Sequence, residues 1–437
     1  MTMNWTVEQV IALSPDDKST KNGKSLANAS KWQTLCTNNQ AIWGECRGSG
    51  KKPYRTQIDL SEPAFRCSCP SRKFPCKHSL ALFLLLANQV DLFTTADPPD
   101  WVQEWLEKRS KTASRKQAKA ATADPEAQAK RIAQRETKIL AGLADLDQWL
   151  QDLMRQGLAT AQTQPYSFWE KAAARMVDAQ APGLARRLRE MASIPHTGGN
   201  WPSRLLAELG KLYLLMQGYQ RLATLPEAVQ AELRSQIGWT QKQEDLLTSP
   251  SPLAVKDTWS VLGKRITTEE NLNVQRVWLW GITHQRPALI LSFGYQNQPL
   301  DTSLIPGTQI SAELVFYPGL YPLRALVKER QPGVDLIPPS GGAVQLADAI
   351  THYGTALATN PWLVQFPLLL TAVIPHQKDQ QWYIADSHGH HLPLQLGFDA
   401  WSLLALSGGH PIMLFGEWNG HNLLPLSLWP DNRFVPC

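Results

Sequence analysis

Three cysteines and one histidine lie close together in the segment RCSCPSRKFPCKHSLALFLLL, which runs from residue 66 to residue 86. Cys67, Cys69, Cys76 and His78 form the pattern C-x-C-x6-C-x-H, two pairs of side chains separated by six residues. Four such side chains complete the tetrahedral shell that Zn²⁺ adopts in a closed structural site. The sequence therefore predicts one structural zinc ion, whose binding free energy helps to fold this segment.

The surroundings of these four residues suit a metal site. Two prolines restrict the loop between the pairs, and a helix over Ser79–Ala87 would fix His78 at its start. Three thiolates on Zn²⁺ leave a net charge of about −1, which neighbouring Lys and Arg side chains can offset. The alternatives are reduced, buried cysteines beside an incidental histidine, or a reactive thiol, although no thiol stands apart with an obvious base.

The remaining cysteines show no ligand pattern. Cys36 and Cys46 are expected to be small buried hydrophobic residues, and Cys437 is expected to be inert. Six cysteines in 437 residues are too few for a disulfide scaffold. The N-terminus lacks the pattern of a signal peptide, and the longest apolar run, Leu80–Ala87, is far shorter than the roughly 18 to 20 residues of a membrane span. We therefore expect a cytoplasmic protein without a transmembrane segment.

The character of the sequence changes along the chain and predicts an α+β protein of several domains. The run KRSKTASRKQAKAATADPEAQAKR has almost no large apolar residue, so it cannot build a core and is interpreted as a linker or an exposed helix. Apolar residues then recur at helical spacing, and short β-rich runs follow. The expected parts are a zinc-finger unit of β-hairpin and helix (1–95), a basic linker (96–135), a helical domain (136–250) and a β-rich domain with inserted helices (251–437).

Individual elements can be placed within these parts. In the tail, Asn419-Gly420 between two β-rich runs is typical of a tight two-residue hairpin. The expected strands are the hairpin Ala41–Arg47 and Tyr54–Leu60 and the tail runs VQRVWLWGI, PALILSFGY, QISAELVFY and PIMLFGEW. The expected helices are Val7–Ala12, Ser79–Ala87, Tyr166–Val177, Pro182–Met191, Trp201–Tyr219, Val344–Ala358 and Ala400–Leu406, with a further helical pattern from Ile139 to Leu153.

The ligand pattern resembles the SWIM-type zinc finger, in which C-x-C is followed by a variable gap and C-x-H, and all four positions match. The stretches WGECRGSGKKPYRTQIDL, GLADLDQWLQDLMRQGLA and FWEKAAARMVDAQAPGLARRLREMA also resemble long bacterial SWIM-domain proteins. The resemblance covers roughly residues 40–90 and parts of 140–195. It implies zinc binding and a role in contacting DNA or proteins, and it implies no enzymatic reaction.

Basic residues concentrate in the first third of the chain, although the net charge is only +5. Lys and Arg gain affinity for nucleic acid by releasing counterions from phosphates. The run Lys108–Lys138 is one candidate for such a contact, and its alternative interpretation is a solvated linker. No base-reading motif is recognised, so a contact should be weakly sequence-specific. The other candidates surround the predicted zinc site and are Lys51, Lys52, Arg66, Arg72, Lys73 and Lys77.

The leading hypothesis is a non-enzymatic, zinc-binding interaction module with weakly specific nucleic-acid contact. The alternative is a protein–protein adaptor that works with an AAA-type ATPase or a von Willebrand A-type partner, because the resemblance associates bacterial relatives with such proteins. The apolar helix after the zinc site and the tryptophan-rich tail would then dock the partner. Common hydrolase, metalloprotease and dinucleotide motifs are absent, and GSGKK at Gly48–Lys52 lacks the spacing of a phosphate-binding loop. Neither a small-molecule substrate nor a membrane partner is expected.

A second group of candidate metal ligands lies in the tail, in the segment Asp386–His391. His388 and His390 would share one face of an extended strand and could hold a second metal with the carboxylate. The alternative is a polar turn between the two halves of WYIADSHGHHLPLQL. In that case, replacing both histidines with Ala leaves the metal content unchanged.

Overall fold

The chain folds in four consecutive parts, which are a zinc-site unit, a helical bundle, a β-barrel and a C-terminal sheet with helices. A computed structural model describes residues 5–38, 40–48, 52–60, 64–71, 73–118, 125–248, 253–269, 272–295, 300–331, 342 and 345–437. Among these residues no helix combines the length and the apolar character that crossing a membrane requires.

The zinc-site unit is a five-stranded sheet with helices on both faces. Its elements are α1 (Val7–Ala12), α2 (Asp17–Leu26), β1 (Trp32–Thr37), β2 (Ala41–Cys46), β3 (Tyr54–Asp59), β4 (Ala64–Cys67), α3 (Lys77–Asn88), β5 (Thr94–Thr95) and α4 (Asp100–Ala118). The strand order is β4-β3-β2-β1-β5, in which only β5 runs parallel to its neighbour. The expected helix α1 and the hairpin of β2 and β3 are confirmed, whereas α2, β1, β4 and β5 are not expected from the sequence.

Helix α3 is buried because it is apolar on every side. Its residues from Leu80 to Leu85 are at most 3% exposed, and they pack against the sheet and against α1 and α2. Gly23 of α2 permits the close approach, since a Cβ at this position would lie only 3.0 Å from the Cβ of Leu80. The apolar helix after the zinc site is therefore core and is not free to dock a partner, which removes one of the two docking surfaces that the adaptor hypothesis names.

Helix α4 covers the opposite face of the sheet. Val102 is fully buried there, and the side chain of Gln57 donates a hydrogen bond of 3.1 Å to the backbone carbonyl of Trp101. The first half of α4, which the sequence analysis assigns to the basic linker, thus packs on the zinc-site unit.

The helical bundle follows, with its core between the faces of its longer helices. Leu143, Trp169, Leu188 and Leu212 are each at most 1% exposed. Leu140, which also fits the apolar pattern of the sequence, is 44% exposed. The bundle helices are α5 (Pro125–Gln156), α6 (Tyr166–Asp178), α7 (Pro182–Met191), α8 (Trp201–Gln220), α9 (Glu227–Ile237) and α10 (Gln243–Thr248).

The β-barrel consists of β6 (Ala254–Glu269), β7 (Leu272–Gly281), β8 (Arg286–Tyr295), β9 (Gln309–Phe316) and β10 (Arg324–Arg330). Strand β6 pairs with both β7 and β9, and β10 runs parallel to β8 and antiparallel to β9. This order of five strands in a closed barrel is that of an OB-fold. Trp259, Leu279 and Phe316 are among the residues that fill its interior.

The C-terminal part comprises α11 (Leu346–Thr359), β11 (Phe366–Lys378), β12 (Gln381–Ala385), β13 (His391–Pro393), α12 (Ala400–Ser407), β14 (Ile412–Trp418), β15 (Leu423–Trp429) and β16 (Val435–Pro436). Its strand order is β13-β12-β11-β14-β15-β16. The sheet packs on the outside of the barrel, where Trp278 is fully buried with its ring 6.5 Å from that of Phe415. It thereby covers the outer face of the barrel along β6 and β7, to which Leu262 and Trp278 belong.

The tail is mainly β, as expected, and one of its details differs from the sequence-based expectation. Trp418 pairs with Leu423, so the connecting loop has four residues and the predicted two-residue hairpin is wrong. The Asn419 side chain accepts hydrogen bonds from two following backbone N–H groups, which stabilises this longer loop. The expected start of α11 at Val344 lies outside the described residues.

Candidate metal centre and the surface around it

Strand β4 and helix α3 bring the four candidate ligands together. Cys67 is the last residue of β4, Cys69 follows in the next turn, Cys76 is the N-cap of α3, and His78 lies in its first turn. Because β4 is held by β3 and α3 is held by the core, both ligand pairs are attached to packed elements of the fold.

The geometry of the cluster fits a tetrahedral metal ion. One ligand atom from each of the four residues lies within 4.8 Å of all the others. The Nδ1 atom of His78 is 3.8 Å from the Cys67 sulfur and 4.0 Å from the Cys76 sulfur. Zinc–sulfur bonds of about 2.3 Å and zinc–nitrogen bonds of about 2.0 Å place tetrahedral ligands roughly 3.5–3.8 Å apart. Three thiolates and one imidazole at these separations are a donor set that suits Zn²⁺.

The protein also supports the ligands from outside the cluster. The Cys76 sulfur accepts a hydrogen bond from the backbone N–H of Ser79, as an N-cap does. Hydrogen bonds with Cys67 and Cys69 lower the pKa of Cys76. The Thr56 hydroxyl lies 3.2 Å from the Cys67 sulfur. The contacts of Cys76 favour its thiolate form, which is the form that binds metal, whereas the hydrogen bonds with Cys69 and Cys76 raise the pKa of Cys67.

The predicted nucleic-acid contacts do not form a single surface in the described part of the chain. Lys52, Arg66, Lys73 and Lys77 are exposed. Lys73 forms a salt bridge with Asp16, and Arg66 follows the buried Phe65 in β4 and so points to the opposite face of the sheet from α3. Two further candidates, Lys51 and Arg72, lie outside the described residues, as do the side chains of residues 110–128 in the basic run Lys108–Lys138.

Another set of cations, of which the sequence analysis singled out only Lys77, does lie together beside the metal centre. A Cβ built on Gly23 of α2 would lie 3.6 Å from the backbone carbonyl oxygen of Lys77, so the exposed lysines of α2 lie next to the start of α3. Burial raises the pKa of the Cys46 thiol, and the nearby ammonium groups of Lys77 and Lys31 counteract this effect. The lysines of α2 recur every three residues in DKSTKNGKSL, a helical signal that the sequence does contain. We define the basic patch as Lys21, Lys24, Lys31, Arg47 and Lys77, all of which are exposed.

The histidines of the tail serve a turn between β12 and β13. Asp386 accepts hydrogen bonds from the backbone N–H groups of His388 and His390 and from that of Leu346, the first residue of α11. Burial alone would raise the pKa of Asp386, but these bonds outweigh it and lower the pKa to about 2. The Asp386 carboxylate is thus already used in hydrogen bonds to the backbone. Among the described residues, the only cluster with metal-ligand geometry is that of the three cysteines and His78.

The comparisons with known proteins agree with this geometry. Residues 54–87 match the family model described as SWIM zinc finger, and residues 134–237 match that described as SWIM-associated four-helix bundle domain. No curated protein and no solved structure gives a match. The ligand cluster is therefore the site of one structural zinc ion. The chain contains a SWIM zinc finger followed by the four-helix bundle domain associated with it.

Proposed function

We propose that this protein is a zinc-stabilised, non-enzymatic interaction module of the cytoplasm whose zinc finger contacts the phosphate backbone of nucleic acid. The observation that carries the proposal is the basic patch. Its five cations are exposed, and none of them forms a salt bridge within the described residues. Uncompensated cations on one surface are what binding to phosphates requires.

Zinc acts here through the fold. The ion joins β4 to the start of α3, and α2 packs on α3, so the lysines of α2 lie next to the start of α3, where Lys77 is. The contact is electrostatic and carries little sequence specificity.

The test is a titration of the full-length, zinc-loaded protein with fluorescent single-stranded and duplex DNA at several salt concentrations. In one variant, Lys21→Ala, Lys24→Ala and Lys77→Ala are combined. A matched control combines Lys171→Ala, Lys242→Ala and Lys378→Ala, three lysines that are also exposed but lie elsewhere.

We expect affinity to fall steeply with salt, and the patch variant to reduce the slope of log K against log salt by about 0.9 for each lost contact with duplex DNA. The control variant should bind like the wild type. If the affinity did not change with salt concentration, or if both triple variants weakened it equally, the patch would not be the contact surface.

A second candidate function is the protein–protein adaptor, with an ATPase of the AAA type or a von Willebrand A-type protein as the proposed partner. The surface of the bundle favours it, because several large apolar side chains are exposed there. Leu206 is 50%, Tyr213 49% and Met154 47% exposed. Clusters of this kind mark protein-binding surfaces more often than single exposed apolar residues do.

A further inference from the structure

A groove between α5 and α8 runs across the exposed side of the bundle. Its volume is 430 Å³, within the range of about 300–1,000 Å³ that is usual for ligand pockets. The floor is apolar, since Leu150 and Leu209 reach it from the bundle core. The lips are the exposed side chains of Met154, Leu206 and Tyr213.

Helix α8 is apolar on more than the stripe that the bundle core needs. Leu205, Leu209 and Leu212 face the core, whereas Leu206 and Tyr213 are offset from them and face the groove. A helix with one buried side is expected to be polar on the others. Leu206 and Tyr213 therefore form an additional apolar stripe that the bundle itself does not bury.

Gly210 sets the depth of the groove at its middle. This glycine lies in the centre of a 20-residue helix, and a Cβ built on it would meet no atom within 4 Å. A central glycine costs a helix about 1 kcal/mol relative to alanine. Because Gly210 has no side chain, the backbone of a second helix can approach α8 closely between the apolar lips of the groove.

The charge on the groove wall indicates which charge a bound partner should carry. Asp147 lies in the wall, where its carboxylate accepts a hydrogen bond from the Gln151 amide and has no cationic partner within the described residues. The other charged lining residue, Arg155, is already paired with Asp152. A half-buried carboxylate gains most from a cation held in a complementary position.

We propose that the groove between α5 and α8 binds an amphipathic α-helix of a partner protein, with large apolar side chains on the buried face and a Lys or Arg opposite Asp147. This inference rests on the adaptor function and adds the class of partner segment. It is independent of the basic patch, so failure of nucleic-acid binding leaves it standing. Helix-in-groove binding through anchors at positions i, i+3, i+4 and i+7 supplies the recognition.

The test uses a fluorescent synthetic helix of about 18 residues, roughly five turns, with leucines on one face and lysines beside them. A second peptide replaces the lysines with glutamates, and a third has the first composition in scrambled order. The full-length, zinc-loaded protein is titrated with each peptide by fluorescence anisotropy. Gly210→Leu fills the groove at a position with space for a side chain, and Gly354→Leu, at an equally open glycine inside α11, is the matched control.

We expect saturable binding of the lysine helix alone, a loss of about tenfold or more in Gly210→Leu, and wild-type binding in Gly354→Leu. Asp147→Asn should weaken the lysine helix several-fold and reduce its dependence on salt. Thermal melting shows whether each variant is folded, and a variant that fails to fold is replaced by Leu206→Gln. Equal binding of all three peptides, no saturable binding at all, or unchanged affinity in the groove variants would overturn the proposal. It would also be overturned if sedimentation showed that copies of this chain associate through the groove, since the occupant would then be a second copy.

Discussion

At the residue scale, Cys76 joins the chemistry of the metal centre to the folding of a helix. Its sulfur is a zinc ligand and is also the N-cap of α3, accepting the backbone N–H of Ser79. The helix N-terminus favours negative charge, so the same geometry that starts the helix stabilises the thiolate. Loss of this side chain therefore removes a ligand and a cap together.

The first prediction concerns the double variant Cys67→Ser/Cys76→Ser. The wild type should contain one zinc per chain by elemental analysis, and the variant should contain none, because two ligands of a tetrahedral site are lost. The finger should then lose protection in amide hydrogen exchange, since zinc binding contributes to its folding. His388→Ala/His390→Ala is the control and should keep its zinc. Retention of zinc by the cysteine variant would show that other residues bind the metal.

At the element scale, close contacts between helices depend on single small residues. In the bundle, a Cβ on Gly183 of α7 would lie 2.0 Å from the backbone carbonyl oxygen of Gln236 in α9. Backbone cannot move aside as a flexible side chain can, so the two helices would have to separate. Gly210 of α8 presents the opposite case, since its surroundings are open.

The second prediction compares these two glycines. Gly183→Ala should destabilise the protein by about 2–3 kcal/mol through overpacking. Gly210→Ala should stabilise it by up to about 1 kcal/mol through helix propensity. Urea unfolding followed by circular dichroism measures both. Equal stability of the two variants would mean that α7 and α9 are not packed as closely as described.

A single carboxylate holds the turn between β12 and β13 to helix α11. Asp386 binds backbone N–H groups of the turn and also that of Leu346, and the adjacent residue Gln345 provides no side-chain cap of its own. The pKa of Asp386 is depressed, so its ionised form is favoured by folding. Its contribution is fully present above the unfolded pKa of about 3.9 and is lost as pH falls through the folded value.

The third prediction follows from this linkage. Asp386→Asn should melt at a lower temperature than the wild type at neutral pH, with a difference of about 1–2 kcal/mol in the free energy of unfolding. The difference should persist down to about pH 4 and shrink as the pH approaches 2, because Asp386 in the wild type is then protonated. Melting curves of both proteins across this range test it. A difference that stays constant from neutral pH to pH 2 would assign the loss to something other than the charge.

At the scale of the whole molecule, one buried carboxylate joins the barrel to the C-terminal sheet. Glu417 of β14 is 2% exposed and accepts hydrogen bonds from Arg265 at 3.0 Å and from the indole N–H of Trp278 at 2.8 Å, both on the barrel. Apolar side chains from both parts surround this contact. Barrel and sheet should therefore unfold together.

The fourth prediction is that Glu417→Ala destabilises the barrel and the sheet together by about 2–4 kcal/mol, because Arg265 and Trp278 lose their shared acceptor. Glu417→Gln retains an acceptor for Trp278 and should cost less. Scanning calorimetry with hydrogen exchange distinguishes joint from separate unfolding. If the alanine variant melted like the wild type, the network would not stabilise the interface.

Much of this architecture was predictable because it is local. The ligand spacing of Cys67, Cys69, Cys76 and His78 identifies the metal, since tetrahedral coordination restricts which residues can act together over so short a segment. Helical periodicity placed α6, α7 and α8 close to their final bounds, because one face of each is buried along its whole length. The β-rich composition of the tail likewise predicted its strands.

Only the tertiary structure decided which surfaces are buried and which are free. The run Leu80–Leu85 has the composition of a docking helix, yet α1, α2 and the sheet enclose it, while Leu206 and Tyr213 have the composition of core and remain exposed. The division of the tail into a closed barrel and an open sheet depends on pairings between distant strands, such as β8 with β10 and β6 with β9. The basic patch likewise combines Lys24 with Lys77 through the packing of α2 on α3. Sequence patterns report the periodicity of one segment at a time, whereas burial and surface charge depend on which segments meet, and that is set by packing over the whole chain.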